Sequence, residues 1–465
     1  MVYLPKYFSN KAIVLYVILI FAAQIIFWGK GLEILPIIFG FLQVFGFFYF
    51  TSMLSGKWNN LSPAVFKQKI IIYGLLIRLT FVFASYYFYL HMTGDPFEYA
   101  AADSIGYHEA GIFLSNMLIN GNLSGYLFSL NNVSDLGYPV FLSFIYTVFG
   151  DVIIVPRIIN AILSTYTSIF IYKIAQRNFG EPAGRLAGIM AMLLPNFIYY
   201  SGLHLKETEM VFLTMAFAER ADYVIRQRTI KVKNIIITLL LAFSLFYFRT
   251  VLAVASIFSF LIAALFNRMR YKALEKRMSI IIIGLILITF FTGNSLQREI
   301  AFYWSERSSN QEIGLEARHV GNRFIQYAKT SVFLPVIVMA PFPTFVNIPN
   351  QQNFMLINGA YYVRNVYAFF VIAGIYLMIR RKGLYRQHLF ILFMLGSYLI
   401  ILAASTFALS ERFHMPALPF LLILAAYGIT QMNRQIHKYY IPYLVLMFFI
   451  ILAWNWLKIA SRGAF

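Results

Sequence analysis

Runs of about twenty apolar residues recur along nearly the whole chain, and that recurrence limits what it can fold into. A helix crossing a hydrocarbon core of ~30 Å needs about 20 such residues. Runs of this kind fall near 12–28, 34–54, 70–90, 154–172, 185–203, 208–225, 279–293, 361–379, 388–406, 414–432 and 440–457. The stretch 235–266 is too long for one crossing and is interrupted by Phe248-Arg249-Thr250, so it reads as two helices meeting at a tight turn. The sequence predicts an all-α polytopic membrane protein with about thirteen transmembrane helices. Only 12% of residues are charged and 60% are hydrophobic. Such a chain cannot furnish the surface of a soluble enzyme, and it is too apolar to be disordered. With no Cys, a disulfide framework, a thiolate zinc site and a Cys nucleophile are excluded. Met1–Asn10 shows no small-residue cleavage site, so the first run is expected as a retained helix.

The chain of 465 residues carries 38 Lys+Arg against 18 Asp+Glu, a net charge of +20. The placement of this charge points to membrane topology and not to nucleic acid, because basic loops stay cytoplasmic. The clusters are Lys57/Lys67/Lys69, Lys173/Arg177/Arg185, Arg220/Arg226/Arg228/Lys231/Lys233, Arg268/Arg270/Lys272/Lys276/Arg277, Arg380/Arg381/Lys382/Arg386 and Arg434/Lys438. Between Arg78 and Arg157 there is no Lys or Arg, while Asp95, Glu98, Asp103, Glu109, Asp135 and Asp151 all occur. Residues 91–153 are therefore expected to form an extracytoplasmic loop. The run 137–150 is short for a crossing, and a crossing there would invert every later basic cluster. It is expected to lie along the outer interface. A second outer loop is expected over 294–360, with the proline-broken 332–348 interfacial or re-entrant. No internal repeat is evident. The organisation expected is one membrane domain, 1–465, with no soluble C-terminal domain.

Polar groups at the lip of a bilayer are costly and read first as functional candidates. Asp103 and Tyr107 are four apart, on one face if this stretch is helical. A carboxylate there suits a general base that takes a proton from an acceptor hydroxyl, although an acid opening a helix is also a common capping feature. His108 and Glu109 are substrate-binding candidates. They leave a divalent metal open, with a solvated pair as the bland alternative. Ser201–Glu209 supplies Lys206, Glu207 and Glu209 where a crossing begins; helix N-terminal acids are the alternative there. Arg249, between two short helices, and Arg412, Arg157 and Arg364, at outer helix ends, are cations on a face otherwise poor in them. Lipid phosphate would suit them. Glu411 neutralising Arg412 is the competing reading, and Arg78, mid-helix, has no evident role.

The order of these features resembles a known group. An outer-loop Asp then Tyr is followed by Gly137-Tyr138-Pro139 opening an interfacial helix, then Phe149-Gly150 and Arg157. Asn178-Phe179-Gly180, Pro195 and an acid opening the next crossing complete it. This resembles the GT-C glycosyltransferases, in particular the protein-O-mannosyltransferase-like and lipid A aminoarabinose transferase-like group. The resemblance implies inverting transfer of a sugar from a polyprenyl phosphate to a glycan, lipid or protein acceptor, at the periplasmic face of the bacterial inner membrane. It maps the base to Asp103 and a second acid to Glu207, with Glu209 as the alternative. Arg249, Arg412 and Arg157 become donor-phosphate ligands, and Tyr107, His108, Glu109, Tyr138, Lys206 and Glu209 substrate-binding residues. Two other readings remain: an O-antigen-type polymerase or ligase using Arg298, Arg307, Arg318, His319 and Arg323, and a lipid-linked sugar flippase.

Overall fold

A computed structural model describes residues 3–129, 135–227, 232–266, 282–284, 286, 336–349, 351–381, 384–403 and 410–460. Among the described residues there is no strand, only one isolated bridge between Gly31 and Val346. The helices are α1 (Lys6–Ile26), α2 (Ile34–Lys57), α3 (Pro63–Thr93), α4 (Ala102–Ile119), α5 (Leu123–Ser129), α6 (Gly137–Phe149), α7 (Ile154–Phe179), α8 (Glu181–Leu193), α9 (Pro195–Ser201), α10 (Glu207–Arg226), α11 (Val232–Phe248) and α12 (Thr250–Phe266). After them come α13 (Gln352–Leu356), α14 (Asn358–Arg380), α15 (Leu389–Ala403), α16 (Glu411–His414), α17 (Leu418–Thr430), α18 (Arg434–His437) and α19 (Tyr440–Ala460). The run 279–293 is described only at 282–284 and 286, and the Arg268–Arg277 cluster and the five residues Arg298 to Arg323 named for a polymerase lie outside the described residues.

Seven of the described elements are long and apolar enough to cross a membrane: α1, α2, α3, α7, α14, Glu411–Thr430 and Arg434–Ala460. The protein is an integral membrane protein. The two helices expected over 235–266 are α11 and α12, with Arg249 at their junction. The run 185–203 is not one helix. Pro195 forces Leu194 to extended geometry, with ψ 119°, and α8 gives way to α9. Pro195 has no N–H for the Ala191 carbonyl. Arg78, fully buried in α3, repairs this break. Its Nη2 donates to Ala191 O at 3.2 Å and its Nη1 to Met192 O at 3.1 Å, while Nε binds Ser164 at 2.8 Å. Arg78 therefore replaces the missing ladder donors. Arg78→Met strands buried carbonyls and is expected to lower stability by about 2–3 kcal/mol, read as a lower thermal midpoint in detergent. An unchanged midpoint would show that the carbonyls find other donors.

α7 packs on α3, α8 and α10, which fixes the register of the helix ends. At one end Arg177 pairs with Glu219 at 2.6 Å and Asp222 at 2.8 Å, and Arg226 with Asp222 at 2.9 Å. His388 meets Asn178 at 2.9 Å, and Arg185 donates to the carbonyls of Trp58, Asn59 and Leu61. Basic side chains from two of the sequence clusters thus gather at one end of the bundle. Toward the other end, residues 336–349 form no helix. Arg364 donates to Ile337 O and Val338 O, and Asn365 to Met339 O and Pro341 O. Non-helical backbone at membrane depth survives only when protein groups satisfy it in this way. Arg364, expected to seek an anion, holds carbonyl groups instead.

Candidate active site

α10 runs about 30 Å from Glu207 to Arg226, so its first turn lies at the end opposite the Arg177 cluster. Three separate stretches of chain meet there. Asp103 stands in the first turn of α4, and Glu207 and Glu209 in that of α10, where the helix dipole favours acids. α16 supplies Arg412. Its Nη1 donates to Asp103 Oδ2 at 2.5 Å and its Nε to Glu207 Oε1 at 2.9 Å. A guanidinium presents divergent N–H groups in a fixed plane and can hold two carboxylates at once. The two acids differ in access: the Asp103 side chain is 59% exposed and that of Glu207 only 1%. Glu411 does not neutralise Arg412. It turns to Asn196 and, at 3.4 Å, to Tyr200.

Beside this bridge lies a second group. Lys206 forms an ion pair with Asp135, and its Nζ lies 5.9 Å from the centre of the Tyr107 ring. Burial pushes the Lys206 amine below its usual range; Asp135 opposes the shift and Arg249 adds to it. Arg249 stacks on Phe413 at 4.2 Å, and its Nη1 is buried without a hydrogen-bond partner among the described residues.

Behind both groups the first loop is anchored. α4 packs along α6, and Tyr107 meets Tyr138 edge-on at 5.2 Å. His108 Nδ1 lies 2.7 Å from Tyr146 Oη, which lies 3.2 Å from His204 Nε2. Burial lowers the proton affinity of both histidines. Glu98 accepts from Ser104 at 2.6 Å, and burial pushes its carboxyl above the usual range. Arg157 is fully buried; it donates to Pro96 O and lies over Tyr86. It supports the loop backbone from below. Glu109 is exposed, while Glu209 is buried beside Asn160 and Tyr138, both its oxygens without a partner among the described residues. Among the described residues no group of three or more His, Asp or Glu side chains gathers.

Asp103, Glu207, Arg412, Lys206, Tyr107 and Arg249 thus come together, whereas Arg157, Tyr138, His108 and Glu209 lie in the supporting layer. Sequence reasoning missed Asn160, Tyr146 and Asn196. The signal that could have found them is a polar side chain inside or beside an apolar run.

An all-helical membrane protein with carboxylates and cations converging at one end of its bundle is a candidate membrane-embedded transferase. Residues 136–294, about a third of the chain, match the family model described as dolichyl-phosphate-mannose-protein mannosyltransferase, of the GT-C superfamily. The match likens this part of the chain to membrane glycosyltransferases, and the apolar helices mark the chain as a membrane protein. It takes in Tyr138, Arg157, Lys206, Glu207, Glu209 and Arg249; Asp103 and Arg412 lie outside it. No curated protein matches the chain.

Proposed function

We propose that this protein transfers a sugar from a polyprenyl-phosphate-linked donor to an acceptor hydroxyl at the extracytoplasmic face of the bacterial inner membrane. The carrying observation is the Arg412 bridge, which fixes an exposed carboxylate, Asp103, against a buried one, Glu207. The acceptor oxygen attacks the anomeric carbon while Asp103 Oδ1 takes its proton. The bond from that carbon to the phosphate oxygen breaks, and polyprenyl phosphate leaves with the electron pair, inverting the anomeric centre. Glu207 acts through Arg412, holding the guanidinium that orients Asp103. Cations facing the leaving phosphate stabilise the charge that develops on it, and Arg249, whose Nη1 has no partner among the described residues, is one such side chain. The test is transfer by purified protein from a labelled polyprenyl-phosphate sugar. Label leaving the lipid phase only when acceptor is present supports the reading; donors of the mannosyl and aminoarabinosyl type that all stay intact reject it.

In the same reading, α8–α9, α10, α11, α12, α15 and the run 279–293 bring the seven long apolar elements to the thirteen crossings read from sequence. The absence of Cys makes the topology easy to examine. Glu109→Cys is expected to react with a membrane-impermeant maleimide in intact cells, and Lys57→Cys only after permeabilisation. The reverse pattern would move the site to the cytosol and end the proposal.

A further inference from the structure

The backbone leading into Asp103 takes a course that its own residues do not favour. Ala100 has φ 51°, in the left-handed region that a residue with a Cβ enters at a cost and glycine enters freely. Ala101 then stands at the N-cap of α4 and offers no side-chain hydrogen bond to the first-turn N–H groups, where Ser, Thr, Asp or Asn would. Neither alanine accounts for a helix that starts here and turns Asp103 toward Arg412.

The hold comes from other elements. Arg157 of α7 donates to Pro96 O, and Ser104 Oγ reaches back to Glu98 at 2.6 Å. Asn353 of α13 donates from Nδ2 to Tyr99 O at 2.7 Å. That carbonyl belongs to the peptide joining Tyr99 to Ala100. A peptide unit is planar, so fixing its oxygen fixes the plane from which the turn at Ala100 departs. α13 is itself secured: Gln43 of α2 donates to Leu356 O at 2.9 Å and accepts from Ala360 N at 3.0 Å.

We propose that Asn353 is a positioning residue for Asp103: by holding the Tyr99 carbonyl it keeps Ala100 in its left-handed turn and the carboxylate in place. This rests on the reading of Asp103 as the base of sugar transfer. Without the bond, Ala100 relaxes toward the negative φ that alanine prefers. The start of α4 then shifts, and a small displacement of a reacting group costs rate out of proportion to its size. No step of the chemistry passes through Asn353.

The experiment measures steady-state transfer by the full-length protein in nanodiscs, from farnesyl-phosphate mannose or farnesyl-phosphate aminoarabinose. Asn353→Ala is expected to lower kcat about fivefold to thirtyfold, the population factor that a left-handed alanine represents, with the donor KM unchanged. Asn353→Leu, of similar shape but without a donor, should do the same. Adding Ala100→Gly to Asn353→Ala should raise kcat again by about threefold or more, because glycine keeps the turn without a Cβ penalty. Removing a Cβ from the first loop would not repair lost packing at α13 or a lost substrate contact, so this rescue separates positioning from both. An unchanged kcat in both Asn353 variants, with the wild type active, overturns the positioning role and leaves the glycosyltransferase reading standing. A loss confined to KM, or a loss that Ala100→Gly does not relieve, also overturns it. A wild type that transfers neither sugar overturns both readings.

Discussion

Asp103→Asn is expected to reduce sugar transfer by about 10²–10⁴-fold, the usual contribution of a positioned general base. The substitution is nearly isosteric. An Asn oxygen can still accept from Arg412 Nη1, so the contact now 2.5 Å long keeps a partner, and at this exposed position the side chain can change without disturbing the fold. What disappears is the capacity to hold a proton as the acceptor oxygen attacks. The loss should fall on kcat, with donor binding unchanged, because the amide leaves the neighbouring cations in place. Single-turnover measurements separate the two, since they report chemistry apart from product release. Transfer remaining above about a tenth of the wild-type rate would remove Asp103 as the base.

The seven long apolar spans, the break at Arg249 and the helix over 137–149 were legible in the sequence because each depends on local composition: apolar length, an Arg between two apolar runs, Gly150 after a short one. The convergence at the site was only partly legible. Asp103 and Glu207 stood out as acids at the lip of the bilayer, but their joint dependence on Arg412 links α4, α10 and α16, and no local pattern encodes which helix ends meet. The same limit explains Arg364 and Arg157. An arginine at a helix end looks the same in sequence whether it faces a phosphate or a backbone carbonyl. Arg78 shows this most clearly, since its role depends on a proline in a different helix, α9. Asp135 passed as one acid among six in the first loop, and only its pairing with a buried lysine sets it apart.

Arg412→Met is expected to cost about 3–5 kcal/mol of stability and to abolish transfer. Two carboxylates lose their common partner, but unequally. Asp103 can hydrate. Glu207, at 1% exposure, loses its only bonded cation in a position closed to water, and this is the source of the penalty. The pair should therefore behave non-additively. Glu207→Gln in the Arg412→Met background removes the stranded charge and should recover most of the stability, since neutralising both members of a buried pair costs far less than removing one. Activity should not return, because nothing then orients Asp103 against the acceptor. Lys in place of Arg412 provides the third arm: an ammonium is a point charge that cannot span both carboxylates in the fixed plane of a guanidinium. Stability should then be retained better than in Arg412→Met, with kcat still low. Thermal midpoints and transfer rates across the wild type and these three variants decide the matter. If stability and activity fell and recovered together, Arg412 would be a packing residue and the bridge would have no part in orienting the base.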